Sequence, residues 1–364
     1  MNEVFPFGFP TATGLYLTLY VATLALHVAF MSYVLAGSSY LALRALGRRE
    51  APRPGSAAYR VSDWLPFTVG LAITAGVAPL LFLQILYEHR FYTANLLLFH
   101  RWMLIVPALI AGFYLLYLAK SDFGRAKPWR FRVASVSAFA CFAFTAWSWT
   151  ENHLLSRDEG AWVQVFTSGQ LVYRSAEVLP RLAMWFLGTG AVFGLILAWQ
   201  LRLGAERGDV VEPAEHRLAA SIGLGGLVGG GLGAAIYATA MPEVARAILT
   251  SPLARPYAIA TALAGLVLAA SYGWLLRQRD GDRRALWAGT VAVVVALLGS
   301  GVLRESLRLA VVPIERHYAQ HAAAFEAQGL PLFLAFLVGN GVVIAFALRL
   351  GAIASRRDPK EVEP

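Results

Sequence analysis

Nine long runs of apolar, almost uncharged residues occupy most of this chain, and they restrict what it can fold into. A membrane-spanning helix needs about 20 such residues. The runs at Gly14–Leu46, Trp64–Tyr87, Asn95–Ala119, Val133–Trp149, Leu179–Leu203, Leu218–Met241, Tyr257–Leu276, Ala285–Leu309 and Leu332–Ile353 reach or approach that length. None alternates with period two, as a spanning strand would. The expectation is an all-α polytopic membrane helix bundle of about nine transmembrane helices, one domain over residues 1–364 with no soluble module. Composition excludes ordinary water-soluble enzyme folds. The chain is 58% hydrophobic and 15% charged, against about 45–50% and about 25% in soluble domains. Its single cysteine, Cys141, rules out an internal disulfide, a Cys-rich metal site and a covalent C-x-x-C-H haem.

The formal net charge of +9 is better explained by basic loops on one membrane face than by a nucleic-acid partner. The segments after helices 1, 3, 5 and 7, with the C-terminus, carry 21 of the 31 Lys and Arg, and the opposite side carries 10. This bias places the N-terminus outside and the C-terminus in the cytoplasm. No Lys or Arg occurs in the ten residues before helix 1, and no small-residue cleavage pattern follows it. That run therefore reads as a retained anchor.

Ionisable side chains are costly within a bilayer, so each one in a span is a functional candidate. His27 lies near the middle of helix 1. His100 and Arg101 lie in the first turns of helix 3, Glu151 and His153 at the outer end of helix 4, and Arg181 and Met184 at the start of helix 5. Arg304, Glu305 and Arg308 lie toward the outer end of helix 8. Plain alternatives exist for all of them. His27 can be a hydrogen-bonded bundle residue, the arginines can snorkel to headgroups, and Glu305 can pair with Arg304, Arg308 or Arg181. His89 and His153 read as interfacial, and His216 as a cytoplasmic loop residue. His317 and His321 have the i, i+4 spacing of a metal site but no accompanying carboxylate or cysteine signature. The run Gly223–Gly233 (GLGGLVGGGLG) reads as a close helix-packing face, since it lies inside a span and lacks the Lys-Ser/Thr of a phosphate loop.

Three segments, in order and on matching helices, resemble the haem-bearing subunit I of cytochrome bd oxidases. They are Leu24–Phe30 (LALHVAF), Val69–Leu97 (VGLAITAGVAPLLFLQILYEHRFYTANLL, a Gly-rich helix followed by an aromatic loop) and Gly301–Val312 (GVLRESLRLAVV). The resemblance implies haem b, with His27 and Glu305 as iron ligands and Arg181, Arg304 and Arg308 neutralising propionates and Glu305. His100 is the next candidate ligand. Met184, in Leu179–Gly190 (LPRLAMWFLGTG), stands where the family places a helix 5 histidine, and helix 7 has neither Met nor His. The connection Met241–Pro256 is too short for the family's quinol loop. The expected electron donor is therefore an external c-type cytochrome, and the expected acceptor oxygen or nitric oxide. A bacterial cytoplasmic membrane and a second membrane subunit or homodimer complete this reading. The alternative is a non-haem transporter or channel using His27, Arg101 and Glu305 as a pathway.

Overall fold

The computed structural model describes residues 8–47, 52–53, 55–278, 281–327 and 329–354. Nine long helices occupy it: α1 (Thr11–Gly47), α2 (Ala57–Leu97), α3 (Phe99–Lys120), α4 (Pro128–Leu155), α5 (Val178–Glu206), α6 (Pro213–Ala240), α7 (Arg255–Arg277), α8 (Arg283–Leu309) and α9 (Gly329–Ala354). The described residues contain no strand. Helices α1 to α8 are each long and apolar enough to cross a membrane. A ninth span is present if the pair Ile314–Glu326 and Pro331–Gly339, bent by 64°, is taken as one. The chain is thus an all-α multi-pass membrane protein, as its apolar runs require.

Each helix extends past its apolar run, because the flanking polar residues continue the hydrogen-bond ladder into the interface. The largest departure is in α2. The segment expected as an aromatic loop, Glu88–Leu97, is helical. It contains neither Gly nor Pro, so nothing stops the helix from resuming after a break at Tyr87, where φ is −139° and ψ is 33°. Asn95 accordingly ends α2 and does not open α3. His216 is also corrected, since it lies in the first turns of α6 and is buried.

Helix α1 is the hub of the bundle and packs against α2, α4, α5 and α8. The closest pair is α5 with α6, and its seam is made of glycines. Gly190 faces Gly226, Gly188 faces Gly230, and Gly233 lies against the backbone of Met184. A Cβ added at Gly226 would lie 2.6 Å from the Gly190 Cα, and one at Gly233 2.6 Å from the Met184 Cα. Small residues let two backbones approach in lipid, where van der Waals contact replaces the hydrophobic drive between helices.

At one end the bundle is fastened by His321, fully buried in the short helix Tyr318–Glu326. Its Nδ1 accepts from the Thr13 hydroxyl of α1 at 2.8 Å, and its Nε2 donates to the Leu86 carbonyl of α2 at 3.2 Å. Both ring nitrogens are used, so the His317/His321 spacing serves packing here. Among the described residues no group of three or more His, Cys, Asp or Glu is placed to hold a metal ion.

Gly226→Ala should lower thermal stability by about 1–3 kcal/mol through overpacking of the α5–α6 seam. Gly231→Ala, whose new Cβ meets nothing within 4 Å, should be neutral or slightly stabilising. Thermal unfolding of the purified protein in detergent checks the pair, and equal shifts would refute the close-approach account.

Candidate functional site

The polar site gathers at the bundle end where α1, α3, α5, α7 and α9 begin and α2, α4, α6 and α8 finish. Its centre is Glu305 on α8, which is completely buried. The carboxylate is held by two hydrogen bonds and an ion pair. Arg304 Nη1 donates to Oε1 at 2.8 Å, the Tyr87 hydroxyl donates to Oε2 at 3.0 Å, and Arg308 Nη1 forms an ion pair with Oε2 at 3.4 Å. Arg308 sits one turn beyond Glu305, so the two share a helix face. The break in α2 falls at the residue whose phenol reaches Glu305.

Helix α4 brings His153 beneath both arginines. Its Nδ1 lies 3.2 Å from Arg304 Nη2 and 2.6 Å from Arg308 Nη2. A guanidinium can only donate, so Nδ1 accepts, and the ring is neutral with its proton on Nε2. Its position is a correction, because α4 continues six residues past Trp149 and turns His153 inward, away from the interface. Arg304 also donates to the Tyr20 hydroxyl of α1 and lies over that ring, while Arg308 stacks on Tyr87 with 4.4 Å to the ring centroid.

A second group adjoins the first. Tyr237, near the end of α6, accepts from Arg181 Nη1 of α5 at 2.8 Å and from Arg157 Nη1 at 3.3 Å. It donates to Glu177 Oε2 at 3.1 Å. Arg157 and Glu177 also form an ion pair at 3.7 Å. Arg157 lies in the turn that closes α4. In the connection that follows, Tyr173 donates to Asp158 Oδ2 at 2.7 Å. Burial first, and then this carboxylate, raise the Tyr173 phenol above its ordinary range.

The two groups together hold four guanidiniums, those of Arg157, Arg181 and Arg308 buried and that of Arg304 partly exposed, against two carboxylates, Glu177 and Glu305. Each group is therefore one positive charge in excess. Among the described residues, the buried Nε atoms of Arg157 and Arg308 have no hydrogen-bond acceptor. A buried charge is stable only when paired, so the arrangement is chemically suited to receive a group with two negative charges.

Four of the residues expected from sequence, Arg181, Arg304, Glu305 and Arg308, come together here. Met184 is half-buried beside them, packed with Tyr237 and Leu307. His27 stands apart, its Nδ1 3.0 Å from the Ala72 carbonyl of α2 and its ring against Gly76. Since a carbonyl only accepts, Nδ1 carries the proton and Nε2 the lone pair. His27 is seven residues along α1 from Tyr20, a rise of about 10 Å. His100 is exposed, its ring edge-on to Phe99, and does not join the cluster. Arg101 pairs separately with the buried Glu151 at 2.9 Å, which also accepts from Trp147 Nε1 at 2.5 Å. Sequence reasoning missed Tyr20, Tyr87, Arg157, Glu177 and Tyr237. For Arg157 and Glu177 a signal existed, since both lie within a turn or so of a span end.

Comparison of the chain with family models, with curated proteins and with solved structures yields no match.

Glu305→Gln should destabilise the bundle by about 3–5 kcal/mol, because one carboxylate is removed from among buried guanidiniums. Tyr87→Phe, which removes a single hydrogen bond, should cost about 1–2 kcal/mol. Thermal unfolding in detergent measures both, and a Glu305→Gln shift no larger than that of Tyr87→Phe would contradict the charge argument.

Proposed function

We propose that this chain is a membrane haem b protein of the cytochrome bd oxidase superfamily, working in respiratory electron transfer. The observation that carries the reading is the excess of guanidiniums over carboxylates in the polar site. Two adjoining groups each hold one more guanidinium than carboxylate, and haem b carries two propionates. The donor set fits in a second respect. Hydrogen bonding to Ala72 fixes the His27 tautomer with Nε2 as the lone-pair nitrogen, and such a bond at the other nitrogen orients an iron-ligating imidazole and raises its basicity.

In this reading His27 would ligate the haem iron. Arg157, Arg181, Arg304 and Arg308 would hold its propionates. When bound, haem supplies reversible one-electron transfer at a potential set by its ligands and burial. Tyr87, Arg304 and Arg308 hold the Glu305 carboxylate as the internal counter-charge of the two arginines. His153 presents Nδ1 to two arginines and spaces them apart. Met184, packed on Tyr237, lines the edge of the site as a weak donor. The reading extends to a bacterial cytoplasmic membrane, to an N-terminus on its outer face, to a c-type cytochrome as donor and to oxygen or nitric oxide as acceptor.

The test is the visible spectrum of the purified full-length protein, oxidised and then reduced with dithionite. Soret and α bands of b type are expected. His27→Ala should lose most of the haem per chain while keeping its helical circular dichroism. A flat baseline from cells supplied with haem, or equal haem content in the variant, would overturn the proposal. The flat baseline would point to the alternative, a non-haem transporter or channel using His27, Arg101 and Glu305 as a pathway.

A further inference from the structure

The opposite end of the bundle carries a feature with no part in the haem reading. Helices α5 and α8 both pack on α1 but touch each other much less. Between them lies a cavity of about 570 Å³, floored by Ala29 of α1. Trp199 of α5 and Trp287 of α8 meet edge-to-face at 5.2 Å within it, and Trp199 Nε1 donates to the Thr290 hydroxyl at 2.9 Å. Leu203, Val294 and Leu297 are among the apolar residues that line it. Trp287, Val294 and Leu203 are exposed, so the groove opens sideways. In a multi-pass membrane protein that opening faces hydrocarbon.

The charge at one end of the groove is specific. Arg283 lines the cavity, and it shares Glu206 with Arg202. Arg283 Nη2 reaches Glu206 Oε2 at 2.6 Å, and Arg202 Nε reaches Oε1 at 2.7 Å. Two guanidiniums on one carboxylate leave one positive charge. Arg283 is 59% exposed, so that charge is open to a ligand. From Arg283 to Leu297 is 14 residues of helix, a rise of about 21 Å. Half the hydrocarbon core is about 15 Å. The groove therefore runs from a positively charged rim to the bilayer midplane, the profile of one lipid in one leaflet.

We propose that this α5–α8 groove binds one anionic phospholipid. An acyl chain lies along Trp199, Trp287 and Leu297, and the phosphate sits at Arg202 and Arg283. The net charge at the rim selects an anionic headgroup over a zwitterionic one, and over a neutral apolar molecule such as a quinone, which would gain nothing from it.

The test uses the full-length protein in phosphatidylcholine vesicles into which phosphatidylglycerol or phosphatidylcholine with brominated acyl chains is titrated. Bromine quenches nearby indoles, and a Trp199→Phe/Trp287→Phe variant isolates the signal of this pair. The pair should be quenched at about fivefold lower mole fraction of brominated phosphatidylglycerol than of brominated phosphatidylcholine, the factor one basic residue near the surface supplies. The preference should vanish in Arg202→Gln/Arg283→Gln and grow in Glu206→Gln, which keeps both guanidiniums and removes their shared carboxylate. Equal quenching by the two lipids in the unaltered protein would overturn the proposal. So would a preference unchanged across both charge variants, or relief of quenching by a ubiquinone analogue at lower concentration than by unbrominated phosphatidylglycerol.

Discussion

A carboxylate with no access to water organises one end of this bundle. Arg304, Arg308 and Tyr87 surround Glu305, and each of these residues commits another helix. Tyr87 brings the end of α2, Arg304 reaches Tyr20 on α1, and Arg308 reaches His153 on α4. Without Glu305 the two arginines would lie side by side without their shared carboxylate, and α8 would lose its hydrogen bond to α2 in a medium that gives helices no hydrophobic reason to associate. The kink at Tyr87 fits the same logic, since a local loss of helix geometry accompanies a hydrogen bond to a buried charge.

The second polar group follows a similar plan with a different centre. Tyr237 combines two arginine donors and one carboxylate acceptor at a single oxygen, and it ties α6 to α5 and to the turn after α4. Because α5 and α6 are already fused along their glycine seam, Arg181 and Tyr237 have little freedom to separate. Rigid backbone packing thus fixes the spacing of polar side chains that would otherwise swing apart.

The helices were legible in the sequence because bilayer thickness dictates span length, and charges inside a span are rare enough to stand out. Arg181, Arg304, Glu305 and Arg308 were found in that way. Tyrosine carries no such signal, since an amphipathic ring is at home in a core, at an interface or beside a charge, and Tyr20, Tyr87 and Tyr237 passed as ordinary apolar residues. His153 was misplaced because the apolar run stops at Trp149 while the helix does not. The helix continues to Leu155, and its inward face decides the environment of His153. The break in α2 was hidden for another reason. Its prolines, Pro66 and Pro79, lie elsewhere, and tertiary contact with Glu305 occurs where the helix gives way.

The hydrogen bond between Thr13 and His321 joins residues 308 positions apart. At about 5–20 residues per second, a ribosome needs roughly 15–60 s to make the intervening chain. For that interval the first helix lacks its fastening, and Arg304, Glu305 and Arg308 do not yet exist to cover His153 and Tyr87. The Glu305 group can therefore close only once α8 has been made.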